Sequence, residues 1–544
     1  MNQHESITKS PSSWSSFDNV MIGARFLSKL PSFLHHKISL QEARATLRRR
    51  FEQRENSFLA TLKRSVYGYP ESPYWRLLKL AGCEYGDLEK SVKKEGIEAA
   101  LQMLYRQGVY LTVDEFKGRQ PTIRGSTTIS VSHELLRNPL AAFHLPARSS
   151  GSRSSGTPVL IDLKFVKGCG VNTSLFLEAR GGSRWHKATW ETPGAGARFR
   201  LLKFSSFGNP PIRWFSQVDP AAPGLDSIFR WSERAMRWGS RLAGVPLPRP
   251  SYVSLGDPLP IARWMTEVLR SGDTPHLFTF PSSAVRLCLA ASENGIELRD
   301  AQFLLAGEPI TKARLDVIRR VGAKAVPRYG SMECGPIGYG CLAPAASDDV
   351  HLLHDLHALI QPESDEAFPR LPQNALLITS LHPASPFTLL NVSMGDQAVI
   401  SKRKCGCALE ELGWTTHLHN IRSYEKLTGG GMTFLDTDVI RVLEEDLPAR
   451  FGGSATDYQL LEDETEDGQP VLRLLVHPKL GPLDTNAVAE VFLSAIGSGS
   501  PVERMMEFMW RDASLLRVER QTPLTTRSGK ILHLHLGQSI NKSR

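Results

Sequence analysis

The sequence predicts an α/β protein, with a large N-terminal lobe built from more than one sheet and a smaller α+β lobe at the C-terminus. Three observations predict it. The chain has 544 residues, more than one hydrophobic core accommodates, so two or three cooperating cores are expected. From Ser251 to about Asn420, helical patterns alternate with short apolar strands, as in an α/β core. After Arg422 the texture changes to that of a small separate unit. The expected divisions are a helical region at 1–140 packed on the large lobe, the large lobe itself at 141–421, and a mobile small lobe at 422–544.

Leu40 to Leu62 and Leu88 to Tyr105 show apolar residues at helical spacing with polar faces between them. A Ser/Gly-rich stretch, HLPARSSGSRSSGTP, leads into Val159–Phe165, which reads as a strand. Further on, a strand is expected at Phe303–Ala306, a helix from Thr311 to Val321 closed by Gly322, and a strand at Ala323–Pro327. Strands follow at Ala375–Leu381, Phe387–Val392 and Gln397–Ser401. In the small lobe a helix at Asp438–Leu447 is expected to stop at Pro448. Tyr458–Leu461 and Val471–Val476 flank an acidic turn at Asp467-Gly468, a helix capped by Asp484 runs to Ile496, and Ser514–Arg520 is a final strand.

Composition narrows the function classes. Hydrophobic residues make up 41% and charged residues 22% of the chain, and no apolar run reaches the roughly 20 residues that span a bilayer. No membrane association is expected, and the N-terminus MNQHESITKSPSSW lacks the pattern of a secretory signal, so a cytoplasmic location is expected. Seven cysteines fit reduced thiols or metal ligands better than a disulfide scaffold. The net charge of +9 raises nucleic acid binding, but the basic residues are mostly scattered. The densest group, Arg44, Arg48, Arg49 and Arg50, reads as a solvated helix face, and no nucleic acid partner is expected.

Several clusters carry chemistry. In Ser149-Ser150-Gly151-Ser152-Arg153-Ser154-Ser155-Gly156-Thr157-Pro158, glycines permit close backbone approach to a phosphate, and hydroxyls and N–H groups supply donors. Thr157 stands where a P-loop needs its lysine, which disfavours γ-phosphate transfer. By itself this stretch fits a linker and a phosphate site equally. Gly307-Glu308-Pro309 follows one strand, and Tyr329-Gly330-Ser331-Met332-Glu333 follows the next. Farther on come Asn391–Asp396, then Arg422-Ser423-Tyr424-Glu425-Lys426 with Gly429-Gly430-Gly431, and finally Pro523–Ile531 containing Gly529-Lys530.

In this order the clusters resemble the successive nucleotide motifs of the adenylate-forming (ANL) superfamily, especially its phenylacetate-CoA ligase-like branch, over about residues 145–535. The resemblance implies an ATP site built from Ser149, Ser150, Gly151, Ser152, Gly156, Thr157, Gly307, Glu308, Pro309, Tyr329, Gly330, Ser331, Asp396 and Arg422. Tyr329 would stack on adenine, Ser331 would lie near the α-phosphate, Asp396 would accept from the ribose hydroxyls, and Arg422 would bind ribose or phosphates. Glu333 would hold Mg²⁺. Lys530 would bridge the substrate carboxylate and the α-phosphate, with a hinge at Tyr424 and Glu425. The usual pattern has acids at both hinge positions, and this chain has only one. An acid pocket is expected to include Phe278, Phe280, Gly307 and Gly335.

Cys341, His351, Cys405 and Cys407 offer a ligand set for a closed tetrahedral zinc site, and some phenylacetate-CoA ligase-like enzymes look similar. Cys334, His354 or His357 could replace one ligand, and buried thiols remain an equal alternative. The implied reaction converts a carboxylic acid and MgATP to an acyl-adenylate. The acyl group then passes to an acceptor: CoA, a carrier-protein thiol or an amine. A homodimer is a further expected assembly. An acyl-protein synthetase or amide-forming ligase, and a silent nucleotide- or carboxylate-binding relative, are the competing readings.

Overall fold

The computed structural model describes residues 16–148, 157–217, 219, 227–362, 371–372, 374–423, 428–429, 432–433, 436–464, 470–498, 507, 511, 516–525, 531 and 534–536. Mixed α/β architecture is observed, with a twelve-stranded central sheet in the large lobe and a four-stranded sheet in the small one. Half of the central sheet is parallel, in the order Lys324–Ser331, Gln302–Leu305, Pro275–Thr279, His186–Glu191, Arg213–Ser216 and Pro250–Tyr252. From the other edge of Lys324–Ser331 the sheet continues antiparallel through Gly335–Gly340, Val350–Leu352, Thr416–Ser423, Val392–Lys402, Ala375–Ser380 and His357–Ile360. Lys324–Ser331 is therefore the seam between the two halves. In open α/β sheets ligands gather at the carboxyl ends of parallel strands where such a change occurs.

The N-terminal helices share one core with the large sheet, in which Leu34, Leu62 and Leu101 pack with Val350, Leu377 and Leu418. The small lobe has its own core around Val442, Tyr458, Leu474 and Phe492. No helix among the described residues is long and apolar enough to cross a membrane.

Several local expectations require correction. Leu40 to Leu62 is two helices, Leu40–Glu52 and Arg54–Leu62, and the second N-terminal pattern is split at Gly96 by its φ of 85°. Val159–Phe165 is not one strand. Asp162 caps a helix by accepting from Lys164 N, so the strand is Pro158–Ile161 and the helix begins at Leu163. Phe387–Val392 is irregular and a single long strand starts at Val392. Asn391 interrupts the run with a φ of 50°, and its side chain donates to Leu101 O and Val109 O.

Pro448 does not stop its helix. A π-helical turn at Val442–Asp446 re-registers the hydrogen bonds, and Pro448 sits in the first turn of Leu447–Phe451, where its missing N–H costs nothing. Of the basic group near residue 50, Arg44, Arg48 and Arg49 are exposed. Arg50 instead forms a salt bridge of 3.0 Å with buried Asp355 and donates to Asn172.

Candidate active site

The carboxyl ends of the parallel strands bring together residues far apart in sequence. His186–Glu191 ends at Glu191, Pro275–Thr279 leads to Phe280, and Gln302–Leu305 leads through Ala306 to Gly307-Glu308-Pro309. The seam strand ends in Tyr329-Gly330-Ser331. Gly335 closes the following turn with a φ of 74°, and a Cβ there would lie 2.8 Å from Phe165 Cζ. Both facts require glycine. Ser331 Oγ accepts from Cys334 N at 3.1 Å and stiffens the turn.

Tyr329 and Asp396 meet: Tyr329 Oη donates to Asp396 Oδ2 at 2.9 Å. Asp396 and Arg422 lie on adjacent strands, and Gln397 is the direct partner of Arg422. The Arg422 guanidinium is fixed by Asp348 at 2.9 Å, and Asp348 also accepts from the Asn420 and Ile421 N–H groups. Glu333 is buried in the turn, and its charge reaches His133. Burial lowers the His133 imidazole below its ordinary range, while Glu134 and Glu333 pull it upward.

Glu308 is engaged within the protein. Its carboxylate accepts from Ser282 N at 2.9 Å, Ser282 Oγ at 2.7 Å and Ile531 N at 3.2 Å, and pairs with Arg314 at 2.9 Å. Arg314 in turn meets Glu444 of the small lobe at 2.8 Å, and Thr311 Oγ1 also bonds Glu444. The Glu308, Arg314 and Glu444 side chains are fully buried. Gln459 pins the tail by accepting from Leu524 N and donating to Leu524 O, and Thr525 bridges Ile531. Lys530 lies outside the described residues, but the residue after it is held against the Gly307–Pro309 loop. Tyr424, Glu425 and Ser149–Gly156 also lie outside the described residues. Thr157 is buried at the start of the strand that follows.

Phe278 and Phe280 are buried, and the Arg200 guanidinium lies 3.4 Å above the centre of the Phe278 ring. Composition and spacing did not reveal Arg200, Lys203, Arg328, Asp348 or the Arg314–Glu444 pair as site residues. The one signal available was the position of Arg328 beside Tyr329.

Cys341, His351, Cys405 and Cys407 form a buried cluster whose ligand atoms all lie within 4.8 Å of one another. His351 Nε2 is 3.2 Å from Cys407 Sγ and 3.6 Å from Cys405 Sγ. Its Nδ1 is 2.5 Å from the Trp414 carbonyl, which can only accept, so Nδ1 carries the proton and Nε2 presents a lone pair. Burial lowers this imidazole to about 4, which keeps it neutral. Ala343 N and Arg403 donate to Cys341 Sγ, and Glu410 accepts from Cys405 N and Gly406 N to shape the Cys-x-Cys loop. Three thiols and one oriented imidazole fit a closed divalent metal site.

No family model and no curated protein matches the chain. Among solved structures, it is similar to a 2-hydroxyisobutyryl-CoA ligase in complex with 2-HIB-AMP and CoA, at 14% identity, covering 89% of this chain and 90% of that one with a TM-score of 0.44. It is also similar to the anthranilate CoA ligase AuaEII in complex with anthranoyl-AMP, at 12% identity, 85% and 79% coverage and a TM-score of 0.40. A third similarity is to the amide bond synthetase McbA from Marinactinospora thermotolerans, at 11% identity, 84% coverage of each chain and a TM-score of 0.39.

Proposed function

We propose that the chain is an AMP-forming carboxylate ligase. The observation that carries this reading is the hydrogen bond from Ile531 N to Glu308, which holds the residue after Lys530 against the Gly307–Pro309 loop. The Tyr329–Asp396 hydrogen bond joins two further motifs of the same set. In the first half-reaction a carboxylate oxygen attacks the α-phosphorus of ATP, an acyl-adenylate forms and pyrophosphate leaves.

The protein mainly positions the reactants and stabilises developing charge. Tyr329 stacks on adenine, Asp396 accepts from the ribose, and Arg422, oriented by Asp348, faces the ribose or phosphates. Ser331 lies by the α-phosphate, and Lys530 stabilises charge shared between carboxylate and phosphate. Glu333 would hold Mg²⁺, which neutralises phosphate charge. The branch within the adenylate-forming ligases is proposed as phenylacetate-CoA ligase-like. In the second half-reaction a nucleophile, in this reading the CoA thiol, attacks the acyl carbon and AMP leaves. Movement of the small lobe about Tyr424 and Glu425 withdraws Lys530 between the steps.

Zinc held by Cys341, His351, Cys405 and Cys407 would be structural, because four protein ligands leave no open position. It would tie the segment after the Tyr329–Glu333 turn to the segment preceding the last strand of the large sheet.

The test is ATP–pyrophosphate exchange against a panel of carboxylic acids, followed by AMP release with CoA, amines or carrier protein added. Exchange that requires an acid, and AMP release that requires CoA, supports the reading. Release with amines only identifies an amide-forming ligase, and no exchange with any acid contradicts the enzyme.

A further inference from the structure

Two helices distant in sequence, Ser16–His35 and Ser227–Leu242, pack side by side on the large lobe. They meet at Gly239, where a Cβ would lie 2.9 Å from Leu30 Cδ2 and 3.1 Å from Leu27 Cδ2, so the glycine permits the close approach. Phe26, Leu30 and Leu34 of the first helix and Met236 and Ala243 of the second turn inward to the core of the large lobe.

The outward side of the pair is apolar as well. Trp231 is 70% exposed, Trp238 64% and Leu242 83%. At ~100° per residue these three side chains fall within ~40° of one another, on a single stripe of the helix. On the neighbouring helix Val20 is 67% exposed, and Met21 and Leu27 are exposed with it. Leu27 touches the second helix at Gly239, so the two sets of apolar side chains border one ridge. A contiguous apolar surface of this kind marks a place of interaction.

Charge frames the ridge. The next stripe of the second helix holds Arg234 and Arg241, both exposed. On the first helix Arg25 and Lys29, also exposed, each stand two residues from Leu27, ~200° round the helix and so on the flank away from the second helix. Between Val20 and Lys37, and between Trp231 and Leu242, the only acid is Glu233, which is buried and paired with Arg237 at 3.0 Å. These two stretches therefore offer positive charge alone to solvent.

We infer that this ridge docks the chain on an anionic lipid surface. The tryptophan and leucine side chains enter the boundary between headgroups and acyl chains, and the flanking arginines and lysine meet lipid phosphates. The net charge of +9 draws the whole chain to the same surface. A second copy of this chain seated through the same face would set arginine against arginine. No helix among the described residues crosses a membrane, and binding in the plane of the interface requires none. The inference stands apart from the adenylation reading.

The full chain is sedimented with vesicles of phosphatidylcholine alone, and of phosphatidylcholine and phosphatidylglycerol in equal parts, at low and high salt. The expected result is binding to the mixed vesicles at least about tenfold tighter than to phosphatidylcholine, weakened by salt and accompanied by a blue shift of tryptophan fluorescence. Trp231→Ser combined with Trp238→Ser removes that shift and lowers the affinity by more than about tenfold, because two exposed rings no longer leave water. Arg234→Gln combined with Arg241→Gln lowers affinity for the mixed vesicles by about tenfold and leaves that for phosphatidylcholine unaltered. All four residues are exposed, so both variants should melt with the parent. If the tryptophan variant fails to fold, the arginine variant carries the same readout.

A parent chain that stays in solution with both kinds of vesicle, or binding that neither double variant alters, overturns the proposal. Self-association of the parent without vesicle binding, lost in the tryptophan variant, overturns it in favour of a second copy. Binding to polyglutamate without vesicle binding overturns it in favour of an acidic protein.

Discussion

Two buried charged regions of this molecule differ in how they are completed. Around Arg314, each side chain finds its partners within the chain. Glu308 and Glu444 flank the guanidinium, and the hydroxyl of Thr311 and N–H groups of Ser282 and Ile531 satisfy the carboxylates. Around Lys203, among the described residues, Glu191 pairs with Arg200 alone, and Lys203 bonds only the Tyr339 hydroxyl. The first region joins two lobes and is finished when the chain folds. In the second, burial draws the Lys203 amine well below its ordinary range, so that group is accommodated by losing its charge rather than by gaining an acid.

The contrast can be broken most severely at Arg314. Arg314→Met leaves Glu308 and Glu444 buried without their shared cation, and loss of one partner from a buried pair costs about 3–5 kcal/mol. Chemical denaturation should show that loss, and a stability equal to the parent would mean that the two lobes are not fastened there. Lys530→Ala should act in the opposite manner, with melting unchanged and exchange reduced by about 10²–10³-fold, as expected for removal of one transition-state donor. Exchange within a few-fold of the parent would make Lys530 a solvated tail residue.

The Cys/His cluster should respond in stability before chemistry. Protein purified without chelator should contain about one zinc per chain, as a closed four-ligand site requires. Cys405→Ser combined with Cys407→Ser should melt at a lower temperature. A metal-free protein, or a variant with unchanged melting, would leave these residues as buried thiols. The smallest effect is expected at Lys203, because burial already draws its amine well below the ordinary range, and an apolar chain of similar length removes that desolvated group. Lys203→Met should be as stable as the parent within about 1 kcal/mol, or more stable. A loss as large as that of Arg314→Met would erase the distinction between the two regions.

What the sequence revealed follows the range of the chemistry involved. Turns and caps are local, so Gly322 with its φ of 79°, the Asp484 cap and the turn that follows Ser331 were legible. Pro448 was misread because the π-turn before it removes the need for its N–H. Phe387–Val392 was misread as a strand because burial, with Asn391 tied to the N-terminal helices, gives the same apolar pattern. Arg314 sits in KARLDVIRR, which reads as a solvated polar helix, and its acidic partner lies 130 residues away in Glu444. Lys203, in FRLLKFS, gives no local sign that its side chain is buried against Tyr339. The Cys/His ligands were legible as residue types, but the orientation of His351 by Trp414 was not.

The central claim is that an acid and ATP react in the site formed at the ends of the parallel strands, and ATP–pyrophosphate exchange measures this most directly. With purified chain, Mg²⁺ and radiolabelled pyrophosphate, the account predicts label in ATP only when a suitable carboxylic acid is present, and its loss in Lys530→Ala. Label incorporated without any acid, or no incorporation across mono- and dicarboxylic acids alike, would contradict it.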